Sequence, residues 1–243
     1  MKKEYFIFSI IFCAHIFFAQ INNNKKILIV ATSANNLISK PDDHTWGCWA
    51  PEISDFYATL YNSGFRIKDV DIVSPMGGNV PLAYKMHYPK KFKIPDEEKK
   101  AFEDKVKNSL NPSQINPNDY NVIYYSGGYS CLVDYPNSKS IGDIAAKIYE
   151  NGGIVSALSQ GIAGLIPVKL SNDKFLVENK TIATNAFKNK TDSVSKQLIR
   201  EGAIIGDSKI IADGNLVTAH GAMPITLAKK VLSLIGLTMQ KQK

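Results

Sequence analysis

Arginine is almost missing from this chain. Arg66 and Arg200 are its only arginines among 29 basic residues. The formal net charge of +7 is therefore carried by lysine. The lysines are scattered, and "KKFK" (Lys90 to Lys93) is the densest cluster. No pattern of arginines and aromatics accompanies them, so nucleic acid is not expected as a partner. A solvated lysine-rich surface explains the charge. Cysteine is scarce as well: Cys13, Cys48 and Cys131 are the whole set. No internal period is present, which excludes a repeat architecture. Neither a metal nor a cofactor is expected. What remains is an ordinary globular composition, 44% hydrophobic and 21% charged over 243 residues. Such a chain is long enough to bury a sizeable core.

The N-terminus has its own logic. "MKKEYFIFSIIFCAHIFFAQ" places Lys2 and Lys3 before an apolar stretch, Tyr5 to Phe18, and then the small residue Ala19. Basic, apolar, small is the order of a secretory signal peptide. The apolar part is short for a membrane span and contains His15. Residues 1–20 are read as a signal cleaved near Ala19 or Gln20, and residues 25–243 as one domain. A periplasmic or secreted protein with no membrane attachment after cleavage is the expectation. A retained anchor is the alternative. Cys13 would leave with the signal, and Cys48 and Cys131 would remain as a pair able to bond in an oxidising compartment.

Downstream, apolar runs alternate with helical patterns. "KKILIVATS", "KDVDIVSP", "YNVIYYSGG" and "IVSAL" read as strands. The first reads as buried on both faces, and the third as a buried strand. Helices are expected in "APEISDFYATLYNSGF", "IPDEEKKAFEDKVKNSL", "SIGDIAAKIYENGG", "GIAGLIPV", "DSVSKQLIREGA" and "MPITLAKKVLSLIG". The second carries acids early and lysines late, as the helix dipole favours. In the fifth, Asp192 is a plausible N-cap. "MGGNVPLA" reads as a turn or hairpin, and "KIIADGNLVTA" as two strands about Asp213-Gly214-Asn215. The alternation predicts an α/β fold, a flavodoxin-like three-layer sandwich with a mainly parallel central sheet. Ligands of such sheets sit at the carboxyl ends of the strands. The loop after Val30, the "SGGYSC" loop and the turn at Ser159 should therefore converge.

In this order "GCWAPE", "SPMGGNVP", "YYSGGYSCLVD", "SALSQGIAGL" and "DGNLVTAHGAMP" resemble the DJ-1/PfpI superfamily. Within it, the chain looks most like the chaperone/glyoxalase branch. The resemblance implies the class I glutamine amidotransferase-like fold and a homodimer. The family's signature turn reads Ala-Val-Cys-His-Gly, where this chain has Ala157-Leu158-Ser159-Gln160-Gly161. Its Gly-Gly-His-Gly loop is here Gly127-Gly128-Tyr129-Ser130. The family's acid corresponds to Glu52. The resemblance thus implies a site of Glu52, Gly128, Tyr129, Ser159 and Gln160, with thiol chemistry on small aldehydes replaced or lost.

Such an elbow lowers a thiol's pKa, but it cannot usefully ionise a serine, which needs a neighbouring base. Gln160 cannot take a proton. His220, in "TAHGAMP", is the best placed candidate base, with His44 second. For either, an ordinary loop histidine is the bland reading. Backbone N–H groups of Gly128 and Gln160 would be the oxyanion donors. The bland reading of Gly127-Gly128 is a tight turn, and that of Glu52 a surface helix acid. Cys48 and Cys131 should flank the pocket, as a disulfide across its mouth, a displaced reactive thiol, or two unpaired cysteines. Four functions follow as expectations. The first is a degenerate family member that binds a small carbonyl or carboxylate ligand, or a protein partner. The second is a serine hydrolase using Ser159, and the third a holdase chaperone. A glyoxalase or deglycase is the fourth.

Overall fold

The computed structural model describes residues 26–35, 46–184 and 193–236. The signal-like segment, His44 and the Asp192 cap lie outside these residues. The elements in chain order are β1 (Lys26–Val30), α1 (Ala50–Asn62), β2 (Val70–Val73), α2 (Asp96–Lys107), β3 (Tyr120–Tyr125), the single-turn α3 (Cys131–Asp134), α4 (Lys139–Glu150) and β4 (Ile154–Leu158). They continue with β5 (Thr181–Ile182), α5 (Ser193–Arg200), β6 (Ile204–Ile205), β7 (Ile210–Asp213), β8 (Leu216–Ala219) and α6 (Pro224–Leu234). Among the described residues, no helix is long and apolar enough to cross a membrane.

Six strands form the central sheet in the order β2-β1-β3-β4-β8-β7. All neighbours are parallel except β7 on β8. The strand order reverses between β1 and β3, which opens a crevice at their carboxyl ends. Period-two alternation in β1 divides the core. Leu28 and Val30 join Ile123, Tyr125, Val155 and Ala157 on one face, under α4. Ile27 and Ile29 join Val122, Tyr124 and Leu158 on the other, under α1 and α6. Both faces are covered, so the strands read as continuous apolar runs. Phe56 of α1 stacks on Tyr124 at 3.8 Å between ring centroids and holds α1 against β3.

Two local expectations are corrected. "MGGNVPLA" does not fold on itself as a hairpin; Gly78 pairs with Ser109 and Leu82 with Cys48, so the segment ties distant parts of the chain together. The second concerns only the kind of helix: the one expected after Ser159 forms as a seven-residue 3₁₀ helix, Ser159–Leu165. Its glycines are pressed onto β3: a methyl on Gly164 would overlap the Tyr125 ring, and one on Gly161 would sit 2.5 Å from Tyr125 O. Pro167 lacks the N–H that a continuing helix requires.

Candidate functional site

Three chain segments meet at the carboxyl ends of β3 and β4. Ser159 follows β4 directly with φ of +56°, a left-handed conformation that costs a non-glycine residue about 1–2 kcal/mol. Strain of this kind is characteristic of functional turns. Its side chain is held inward, with the residue only 7% exposed. The loop after β3 passes close beside it. A methyl on Gly127 would lie 2.6 Å from Glu52 Oε2 and 2.9 Å from both Ser159 Cβ and Leu158 O. Only glycine fits there, and Glu52 and Ser159 therefore flank one α-carbon.

Glu52 sits in the first turn of α1 and is 2% exposed. Its Oε2 accepts the Gly127 N–H at 2.6 Å. Burial away from water raises its pKa from 4.5 to about 8, and the Gly127 bond offsets only part of that. At neutral pH the carboxyl is protonated. The surface-acid reading of Glu52 is thereby excluded. Tyr124 beneath it donates its hydroxyl proton to the Glu52 carbonyl at 3.1 Å and fixes the helix start.

Gly128 adopts φ of +116°, and a methyl there would strike Gly47 O. Gly128 is buried, and its N–H finds no acceptor among the described residues. The N–H of Gln160, half-buried at the start of the 3₁₀ helix, also has no acceptor among the described residues, as is ordinary for the first turn of a helix. Buried unpaired N–H groups are rare in folded proteins and mark places where something else completes the bonding. Ser159 Oγ donates to Gln160 Oε1 at 2.5 Å. An amide oxygen can hold that hydrogen bond but cannot take the proton.

The remaining predicted residues divide. Ala219 pairs with Leu158 as the last pair of the ladder, so His220 follows β8 at the same carboxyl edge of the sheet where Ser159 follows β4. Its backbone N–H donates to Lys209 O at 2.8 Å. Tyr129 is 54% exposed and packs edge-on to Trp46 at 5.6 Å between centroids. Trp49 and Tyr84 form a second edge-on pair at 4.5 Å. His87 lies off the site, 3.8 Å from Asp55.

Of the three readings of the cysteine pair, two unpaired cysteines is the one the structure shows. Cys48 and Cys131 are free thiols, both fully buried beneath the site rather than across its mouth. Cys48 Sγ lies 3.1 Å from Ser126 Oγ, and Cys131 Sγ donates to Ser126 O at 3.3 Å. Ser126 Oγ donates to Val30 O at 2.8 Å, and the Cys48 thiol is also within donating distance of Gly127 O at 3.4 Å. Both sulfurs are thus held at Ser126, and Cys48 also at Gly127. Burial pushes both thiols up, away from the thiolate form, so neither is a displaced nucleophile.

Sequence reasoning missed two supports. Asp134 accepts from Thr32 Oγ1 at 2.9 Å and from the N–H groups of Ser33 at 2.7 Å and Ala34 at 3.2 Å, which anchors the loop after β1. Ser130 Oγ accepts the Gly47 N–H at 2.8 Å and closes the loop before α1 over the site. A polar residue inside a quoted motif was the only available signal for either. Among the described residues, no group of three or more His, Cys, Asp or Glu is arranged to hold a metal.

A family model described as the DJ-1/PfpI family matches residues 66–234. The chain belongs to this family. A probable glutathione-independent glyoxalase of Saccharomyces cerevisiae is 35% identical over 170 residues, covering 65% of this chain and 67% of that protein. Among solved structures, the 24 kDa Rapid Encystment Protein of Francisella tularensis superposes with a TM-score of 0.68 at 24% identity, covering 87% of this chain and 99% of that one. Glyoxalase III of Candida albicans gives 0.65 at 23% identity, covering 86% and 97%. At such identities the two structures establish the flavodoxin-like fold alone.

Proposed function

We propose that this chain is a DJ-1/PfpI protein whose site binds a small carbonyl or carboxylate compound without thiol catalysis. One observation carries the reading: the side chain at the strained turn is a serine, not a cysteine, and its hydroxyl donates to the Gln160 amide oxygen at 2.5 Å. A serine becomes a nucleophile when a base removes its proton in the attack. Glu52 is on the wrong side of its titration to serve as that base at neutral pH. What the site retains is recognition. The Gly128 and Gln160 N–H groups can receive an oxygen of the ligand, and the neutral Glu52 carboxyl adds a donor beside it. The N-terminal basic-apolar-small order supports export before this site is used.

A second reading rests on register. Leu158 pairs with Ala219, the residues just before Ser159 and His220, and a serine-dependent hydrolase is the reading to favour should the imidazole reach Oγ. Methylglyoxal consumption in glutathione-free buffer tests the first reading, with a ¹⁵N-detected titration alongside. The expected result is no turnover above Ser159→Ala, with the Gly128 and Gln160 amide resonances moving on addition of small carbonyl or carboxylate compounds. Turnover that Ser159→Ala abolishes would overturn it.

A further inference from the structure

We infer that the groove between α2 and the segment 79–86 is a second binding site, separate from the turn after β4, for a free monocarboxylate with an unbranched apolar chain. This site does not depend on the binding reading above, since none of the groove's residues belongs to the site at Ser159. The groove holds about 480 Å³, within the usual range for small-molecule sites. Its apolar lining comes from two parts of the chain. Val80, Pro81, Leu82 and Met86 supply one side. Val106 supplies the other, where Glu103, Val106 and Lys107 share one face of α2 by their i, i+3, i+4 spacing. Leu82 and Met86 pack on the core and remain half-buried, so a chain laid in the groove covers apolar surface that water now touches.

The backbone beneath this lining is already bonded. The Val80 N–H donates to Val106 O at 3.0 Å and ties the two sides together. Pro81 has no N–H, and its carbonyl accepts from the Cys48 N–H at 2.8 Å. The Ala83 N–H donates to Cys48 O at 2.9 Å. The floor therefore presents hydrocarbon and the Met86 thioether. A methionine reshapes around a flexible chain more readily than a branched side chain does.

The rim supplies the charge. Lys85 and Lys107 are exposed there, and Glu103 is the one acid of the lining. Lys85 makes no ion pair or hydrogen bond with any described residue, and the chain from Ile72 to Pro95 around it has no acid. Lys107 comes only within 4.0 Å of Asp104 on the helix surface, a contact that water screens. Glu103 has a donor of its own in the Tyr88 hydroxyl, which burial and the Glu103 charge together keep protonated. Two cations against one anion leave a single positive charge at the mouth of an apolar groove. A head group of one negative charge balances it, whereas a phosphate monoester would bring nearly two. An apolar chain ending in a carboxylate meets both the floor and the rim.

The test is ¹⁵N-detected titration of the chain with octanoate, held below its micelle concentration. Acetate, which lacks the chain, and 1-octanol, which lacks the charge, are titrated beside it. Wild type is compared with the double variant Lys85→Gln/Lys107→Gln and with Met86→Gln. Both lysines are exposed and Met86 is half-buried, and thermal melting checks that the variants fold. Octanoate is expected to move the amide resonances of Val80, Leu82, Met86 and Val106. It should bind at least about tenfold more tightly than acetate, through the buried chain. It should bind about threefold more tightly than 1-octanol, through the exposed lysines. The double variant should lose about that factor of three for octanoate and nothing for 1-octanol, while Met86→Gln should weaken both. Resonance changes confined to residues outside the groove, equal binding of octanoate and 1-octanol, or unchanged octanoate affinity in the double variant would overturn the inference. Each of those results would leave the reading of the Ser159 site as it stands.

Discussion

Glu52→Gln should make the protein's stability less sensitive to pH, and the direction follows from where the proton is held. In the unfolded chain the carboxyl releases its proton near 4.5, while the fold retains it up to about 8. Between those values the native state binds one more proton than the unfolded state, so stability falls as pH rises. Below 4.5 the carboxyl is neutral in both states, and above about 8 the whole penalty has accrued. At about 1.4 kcal/mol per pKa unit, the full penalty is on the order of 5 kcal/mol. Glutamine keeps an oxygen to accept the Gly127 N–H and cannot ionise. Its advantage over wild type should therefore grow steadily from pH 5 to pH 8. Urea unfolding of both proteins at intervals across that range measures the difference, and other titrating groups cancel between them. A difference that stays constant with pH would show that Glu52 is not held neutral, and the donor assignment at the site would fail with it.

Three further outcomes follow from the same geometry. Gly127→Ala inserts a methyl 2.6 Å from Glu52 Oε2 and 2.9 Å from Ser159 Cβ, and should cost about 1–3 kcal/mol; an unchanged melting temperature would contradict that packing. At φ of +56°, Ser159→Gly should be more stable than Ser159→Ala by about 1 kcal/mol; equal urea midpoints would mean the turn is unstrained. Cys48 and Cys131 should resist iodoacetamide in the native protein at pH 8 and react in urea, as read by peptide mass mapping, because burial removes access and raises both thiols. Rapid native alkylation would place them at the surface.

The legible parts of this fold are those where one physical signal dominates. The apolar runs that became β1, β3 and β4 are buried on both faces, so composition alone marks them. The Asp213-Gly214-Asn215 turn between β7 and β8 announces itself by residue type. In α2, the acidic first turn and basic last turn mark both ends. The helix after Ser159 was legible from its apolar spacing, but its 3₁₀ form was not, since its glycines pack against Tyr125 on another strand. The two-residue strands β5 and β6 carry too few residues for any period to register. At the site, motif order brought Glu52, Gly128, Ser159 and Gln160 together on paper, and the chain brings them together in space. The cysteine pair shows the limit. Loop positions indicated proximity, but the direction of each sulfur depends on Ser126, whose part no local pattern reveals.

Whether Ser159 is an activated nucleophile is the point on which the account turns. The direct measurement is incubation of the purified protein with a fluorophosphonate probe, beside Ser159→Ala, read as intact mass and mapped by peptide. The account predicts no adduct on Ser159, since its proton is held by an amide oxygen. A stoichiometric adduct on wild type that Ser159→Ala abolishes would contradict it and give the site to serine hydrolysis, with His220→Ala the variant to examine next.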